Sequence, residues 1–173
     1  MSICISVNLV QLMNVNRRSA VVSLLAVLAA PTASAKMRPF LTITGRTQPG
    51  AELLWTRADL EALSRDVLAT TTPWHEGTQH FDGVRLATLL GRVGSDAVEA
   101  VNLHALNDYT ALVPMDDIHR YDPLLALRRD GVDMPVADKG PMWLVYPFDR
   151  YPELDGPAFR ARSVWQIDAM DLR

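Results

Sequence analysis

An α+β domain built around a mixed sheet is what this 173-residue sequence predicts, and three observations predict it. Apolar and polar residues alternate through several short stretches, FLTITG (40–45) among the clearest, at the period of a half-buried strand. Only two longer stretches carry the three-and-four spacing of an amphipathic helix. Strands and helices do not take turns along the chain, which argues against a doubly wound parallel sheet.

Residues 1–35 read as a leader that precedes the fold. Arg17 and Arg18 come before SAVVSLLAVLAA (19–30), and Ala33-Ser34-Ala35 stands before Lys36. A positive start, a short apolar run and small residues at a cut describe a secretory signal peptide, cleaved to leave a periplasmic or secreted protein. The apolar run is short for a membrane span. Met13 offers a second possible translation start. The arginine pair is the only match to a twin-arginine signal, so Sec export is expected. Residues 36–173 remain, the size of one domain. The leader removes two arginines and no acids, so the domain is more acidic than the chain's net −3. Without a basic stripe it is a poor binder of nucleic acid. Cys4, the only cysteine, lies in the leader. The domain therefore has no disulfide, thiolate nucleophile or cysteine metal ligand, and export without disulfides points to a bacterial periplasm.

Each element follows in order. FLTITG opens the domain as a strand. Thr56 with Asp59 three residues on is a capping box for a helix to about residue 66, with Leu60, Leu63 and Val67 on its apolar face. VLATTT (67–72) is a strand halted by Pro73, and QHFDG (79–83) a short strand after it. Leu86, Leu89, Leu90 and Val93 set a second helix over about 84–92, stopped near Gly94. AVEAVNLHAL (97–106) and YTALVP (109–114) pair as a hairpin through Asn107-Asp108. A short helix covers 114–119, where Asp116 and Asp117 meet the positive end of its dipole. LLALRRDG (124–131), PMWLVYP (141–147) and SVWQIDAMDL (163–172) supply three more strands.

Candidate chemistry gathers in two places. TTTPWHEG (70–77) ends a strand on a proline and then presents an indole, an imidazole and a carboxylate. Lys139-Gly140-Pro141 precedes another strand; glycine permits close backbone approach and proline stiffens it. That suits a plain hairpin loop and equally a loop pressed against a flat ligand. His75, His80, His104 and His119 show no metal-binding spacing. Neither a GxSxG elbow nor a GxGxxG or Walker loop is present.

The order of the motifs carries a resemblance. TTTPWHEGTQHFDGVRLATLL, LNDYTALVPMDDI, LLALRRDGVDMPVADKGPMWLVYP and RSVWQIDAMDL together resemble the oxidoreductase molybdopterin-binding domain of the sulfite oxidase family, over about residues 40–173. Family members follow an aromatic-rich corner with a W-x-G helix start, a tyrosine-bearing hairpin, a G-x-P-x-R segment and a closing S-V-K-W strand. The resemblance implies a β-rich sulfite-oxidase-type fold, a molybdopterin and oxidoreductase chemistry. The departures are informative. The family's molybdenum-ligating cysteine falls on Thr71, whose hard hydroxyl oxygen is no substitute for a soft thiolate. The arginine of G-x-P-x-R falls on Trp143, and the lysine of S-V-K-W is missing between Val164 and Trp165.

What the resemblance then implies is a pterin-binding protein, holding molybdopterin or a metal-free reduced pterin, with molybdenum in doubt and ordinary family catalysis not expected. The alternative is a molybdopterin-dependent oxidoreductase, or one subunit of it, whose molybdenum is held without cysteine. Small exported forms lacking the cysteine are similar to periplasmic pterin-binding regulators, which implies a membrane-bound sensor or cyclic-di-GMP enzyme as partner. Trp74, Tyr109, Trp143, Tyr146 and Trp165 offer faces for the ring. Asn107 and Asp108 match its donor-rich edge, and Arg128, Arg129 and Lys139 suit a phosphate or hydroxyls. Thr71 and Gly140 complete the candidate set. Beside these stand plainer roles: Trp143 and Trp165 as core, and Asn107-Asp108 as a turn.

Overall fold

A computed structural model describes residues 39–173; the leader expected at 1–35 lies outside the described residues. The chain forms β1 (Leu41–Gly45), β2 (Leu54–Trp55), α1 (Arg57–Glu61), β3 (Arg65–Thr72), β4 (His75–Arg85) and α2 (Leu86–Val93). It continues through β5 (Ala100–Ala105), β6 (Thr110–Pro114), α3 (Met115–Tyr121), β7 (Leu124–Arg129) and β8 (Val132–Asp133). It closes with β9 (Trp143–Val145), α4 (Pro157–Arg162) and β10 (Ile167–Leu172).

The α+β class holds, with two sheets in place of the single mixed one expected. The first runs β2-β1-β10-β5-β6, and its only parallel pair is β1 with β10. The second runs β3-β4-β7-β8, with β9 also on β7, and is antiparallel throughout. In β1 the alternation works as read: Leu41 and Ile43 are fully buried and Thr44 is exposed.

Two boundaries moved, for a shared reason. The Thr56–Asp59 capping box forms, with Thr56 N–H donating to Asp59 Oδ2 at 2.8 Å and Asp59 N–H to Thr56 Oγ1 at 3.2 Å. Yet α1 stops at Glu61 instead of residue 66, because Arg65–Thr72 is drawn into a ladder with β4. Val67, expected both on the helix's apolar face and at the head of the strand VLATTT, lies on β3 and is 54% exposed. The expected short strand QHFDG is the interior of the 11-residue β4. Tertiary pairing overrode local helix preference here. In α2 the four residues read from the spacing are all buried, and Gly94 follows the last of them. The closing strand starts at Ile167 and not Ser163, and α4 was not foreseen.

The second sheet is covered on both faces, which explains why LLAL in β7 is a continuous apolar run. Leu125 and Leu127 join the main core with Leu103 and Met170 of the first sheet and Leu89 of α2. Leu124 and Ala126 face the other way, into a smaller core with Phe81, Trp143 and Val145. Trp74 and Trp165 close this smaller core from outside. That layer places the candidate site.

Candidate functional site

Pro73-Trp74 joins β3 to β4, with Thr72 paired to His75. Two-residue hairpins favour turns with positive φ, which proline cannot adopt and Trp74 does not. The strands instead meet through an irregularity between Thr70 and Thr72, which leaves Thr71 out of the ladder. Thr71 reaches across to Asp149: its N–H donates to Asp149 Oδ2 at 2.8 Å and its hydroxyl to Asp149 Oδ1. Asp149 N–H returns a bond to Thr70 Oγ1 at 3.2 Å. The corner is thus held by side chains from a distant loop.

Under the corner lies a polar chain. Arg129 Nη1 meets His75 Nε2, and Arg129 Nη2 donates to Asp138 Oδ2 at 2.7 Å. Arginine has no acceptor, so Nε2 accepts and the imidazole proton sits on Nδ1, donating to Thr72 Oγ1 at 3.1 Å. Burial, then the charges of Arg129 and Lys139, hold the His75 pKa below its ordinary value and keep the ring neutral. The Arg129 guanidinium in turn holds the Asp138 carboxyl below the usual carboxylate range.

Above it the rings interlock. Trp74 lies edge-to-face with Trp143 and with Trp165, both at 5.5 Å, and with Phe148 at 6.1 Å. Lys139 Nζ sits 5.1 Å from the Trp165 ring and 5.7 Å from that of Trp143. Trp165 also lines a cavity of about 210 Å³, with Asn107, Tyr109, Arg160 and Ser163 among others. The Tyr109 hydroxyl donates to Ala161 O at 3.0 Å, leaving its own lone pairs available.

Of the residues singled out from the sequence, Trp74 and Lys139 come together around Trp143 and Trp165. Thr71, close to Trp74 in sequence, is held by Asp149, and Asn107 and Tyr109 line the cavity that Trp165 shares. The others lie elsewhere. Asp108 faces a separate open groove with His104 and Asp168. Arg128 is bound to Glu61 at 2.7 Å and to Asp133 at 2.8 Å, away from the corner. Tyr146 is fully buried in the main core, its hydroxyl on Asp117 Oδ2 at 3.3 Å. Gly140 serves its own loop: a Cβ there would stand 1.8 Å from Met134 O. Asn107 Oδ1 accepts from Tyr109 N–H at 3.2 Å, so the amide also makes the turn. Trp143 packs in the smaller core, as its plainer role had it.

Asp149, Asp138 and the pairing of His75 with Arg129 were not read from the sequence. The Thr71–Asp149 contact spans 78 positions and leaves no local trace. Arg128 and Arg129 stand on opposite faces of β7, and strand alternation shows that they differ without showing which faces the site.

Residues 50–149 match the oxidoreductase molybdopterin binding domain, and they make up more than half of the chain. The chain belongs to that family. No curated protein matches it. Among solved structures, the domain resembles the sulfane dehydrogenase SoxCD from Paracoccus pantotrophus, with a TM-score of 0.58 and 18% identity. The likeness covers 76% of this chain and 37% of that one, and at this identity it speaks for the fold alone. The family name implies a molybdopterin, and the residues present fit only part of one. Among the described residues no three His, Cys, Asp or Glu side chains gather as metal ligands, and no cysteine occurs after Cys4. The hydroxyl at position 71 is already bonded to a carboxylate. A thiolate-held molybdenum does not fit this corner; the aromatic faces and the cavity beside Trp165 suit a flat ring.

Proposed function

We propose that this protein is an exported pterin-binding protein that carries no oxidation chemistry of its own and whose loaded state is read by a membrane partner. The observation that carries the reading is Thr71, a threonine with its hydroxyl committed to Asp149, at the corner where the family resemblance places a metal thiolate. The ring is assigned to the cavity beside Trp165. About 210 Å³ is less than the roughly 300–1,000 Å³ of sites for drug-sized ligands, so it suits one bicyclic ring with its tail in solvent. There Trp165 and Tyr109 supply faces. The Asn107 amide supplies both a donor and an acceptor to the pyrimidinone edge, and Arg160, paired with Asp155 at 2.6 Å, has N–H donors left for an anionic tail. The ligand is molybdopterin or a metal-free reduced pterin. The apolar leader at 1–35 supports export to the periplasm, and the likeness to periplasmic regulators supports a membrane-bound sensor or cyclic-di-GMP enzyme as the reader.

Protein isolated from the periplasm is expected to release a pterin detectable by native mass spectrometry and fluorescence, with little molybdenum. Its chain is expected to begin at Lys36. Empty protein with no affinity for any reduced pterin overturns the reading. About one molybdenum per chain after growth on molybdate points instead to an oxidoreductase, since metal chemistry belongs to the cofactor.

A further inference from the structure

We propose that Asp149 is the residue that excludes a metal from the Thr71 corner: its carboxylate is an internal ligand that occupies the coordination space of side chain 71. The inference builds on the proposed metal-free pterin reading, but its decisive measurement needs no pterin.

The geometry is specific. Both carboxylate oxygens of Asp149 are turned onto Thr71, one accepting the backbone N–H at 2.8 Å and the other the hydroxyl. The Asp149 N–H is anchored in turn on Thr70 Oγ1, at 3.2 Å. Thr70 is fully buried, and its own hydroxyl donates to Thr71 O at 3.1 Å. The neighbouring Phe148 packs against Trp74 at 6.1 Å, so the loop bearing Asp149 is held to the hairpin from both sides of the corner. A metal bound to the side-chain atom of residue 71 would have to sit against that atom, where Asp149 Oδ1 now sits.

Charge reinforces sterics. A cysteine at position 71 would face the carboxylate directly. A like charge at hydrogen-bond distance disfavours the thiolate and raises the thiol pKa above its ordinary value of about 8.5, and only the thiolate is a metal ligand. Restoring the thiol therefore does not restore the metal site. At position 71 itself, the lost thiol and the Asp149 carboxylate act together.

The test compares Thr71→Cys with the double variant Thr71→Cys/Asp149→Ala, both as the exported chain, with Thr71→Ser as the folding control. Titration of thiol reactivity with an alkylating reagent is the first readout. The single variant is expected to react only well above pH 8.5, and the double variant at a pH about one unit or more lower. Molybdenum content after growth on molybdate is the second readout: near zero in the single variant and at least several-fold higher in the double. Equal thiol pKa values in the two proteins overturn the proposal. So does equal molybdenum in both when both hold a pterin, whether both carry the metal or neither does. Should the alanine variant fail to fold, Thr71→Cys/Asp149→Asn removes the charge while keeping the shape, and the same two readouts decide. Loss of the pterin reading leaves the thiol titration standing, so the two proposals fail separately.

Discussion

The two hairpin tips of this domain, Thr72–His75 and Ala105–Tyr109, hold their shape by opposite means. The turn of the second is closed by its own residues, with outside ties only from Leu106 N–H to Gln166 O and the Tyr109 hydroxyl to Ala161 O, both at 3.0 Å. Asp108 N–H donates to Ala105 O and Ala105 N–H to Tyr109 O, both at 3.0 Å, and Asn107 Oδ1 accepts from Tyr109 N–H. Asp108 takes the left-handed conformation, at φ 64°, that a three-residue loop asks for. The first tip has no such chemistry. Pro73 rules out a primed turn, and the tip is secured by Trp74 among three rings, by Thr71 on Asp149 and by His75 on Arg129. A locally closed turn forms anywhere; a tertiary-anchored one exists only where the rest of the fold has built its socket. Such a tip can also report on what fills or empties that socket.

Trp74→Ala is the sharpest way to break the contrast. It removes the ring that three others pack against and is expected to cost about 2–4 kcal/mol in urea unfolding, with the β3–β4 amides losing most of their exchange protection. A loss under about 1 kcal/mol, in the range of an ordinary surface change, would mean that the tip stands on local structure after all.

The contrast also marks where the sequence was legible. Turn chemistry is written in adjacent residues, so the β5–β6 hairpin was readable from Asn107-Asp108, short only of the loop's third residue. The spacing of Leu86, Leu89, Leu90 and Val93 likewise identified α2. The order of motifs disclosed the family. What closes the corner was not readable. Asp149 lies 78 positions from Thr71 and Arg129 lies 54 from His75, and each looks like an ordinary surface charge until strands bring it across. Val67 was read two ways, as the end of the helix's apolar face and as the start of the strand VLATTT, and the pairing with β4 decides for the strand.

The polar half of the anchored tip should show itself in pH. His75 has its pKa held below the ordinary 6.5 by burial first, then by Arg129 and Lys139. As pH falls below about 6.5 the unfolded chain takes up this proton before the folded one does, so stability declines towards His75's lowered folded value. Asp66, held down chiefly by Arg85, and Asp138, held down by Arg129, add a second loss at lower pH, below their ordinary 3.8. His75→Gln is expected to flatten the upper window of a stability–pH curve and leave the lower one. Arg129→Met, which strands both His75 and Asp138, is expected to cost about 1–3 kcal/mol at neutral pH. An unchanged upper window in the glutamine variant would remove His75 from the anchor.

The self-closed tip should be nearly indifferent to the corresponding cuts. Asn107→Ala deletes one exposed hydrogen bond that water readily replaces, so about 0.5 kcal/mol is expected, near the bottom of the range for such bonds. Asp108→Gly should act in the other direction, stabilising by up to about 0.5 kcal/mol, because glycine enters the left-handed region without the Cβ clash. The two variants together separate turn from ligand. Asn107 lines the cavity beside Trp165 and Asp108 does not. If the ring sits in that cavity, Asn107→Ala lowers pterin affinity about tenfold or more, the worth of one lost polar contact, while Asp108→Gly leaves it alone. Equal affinities in both variants would make Asn107 a turn residue only, and would move the ring away from this hairpin towards the Trp74 corner.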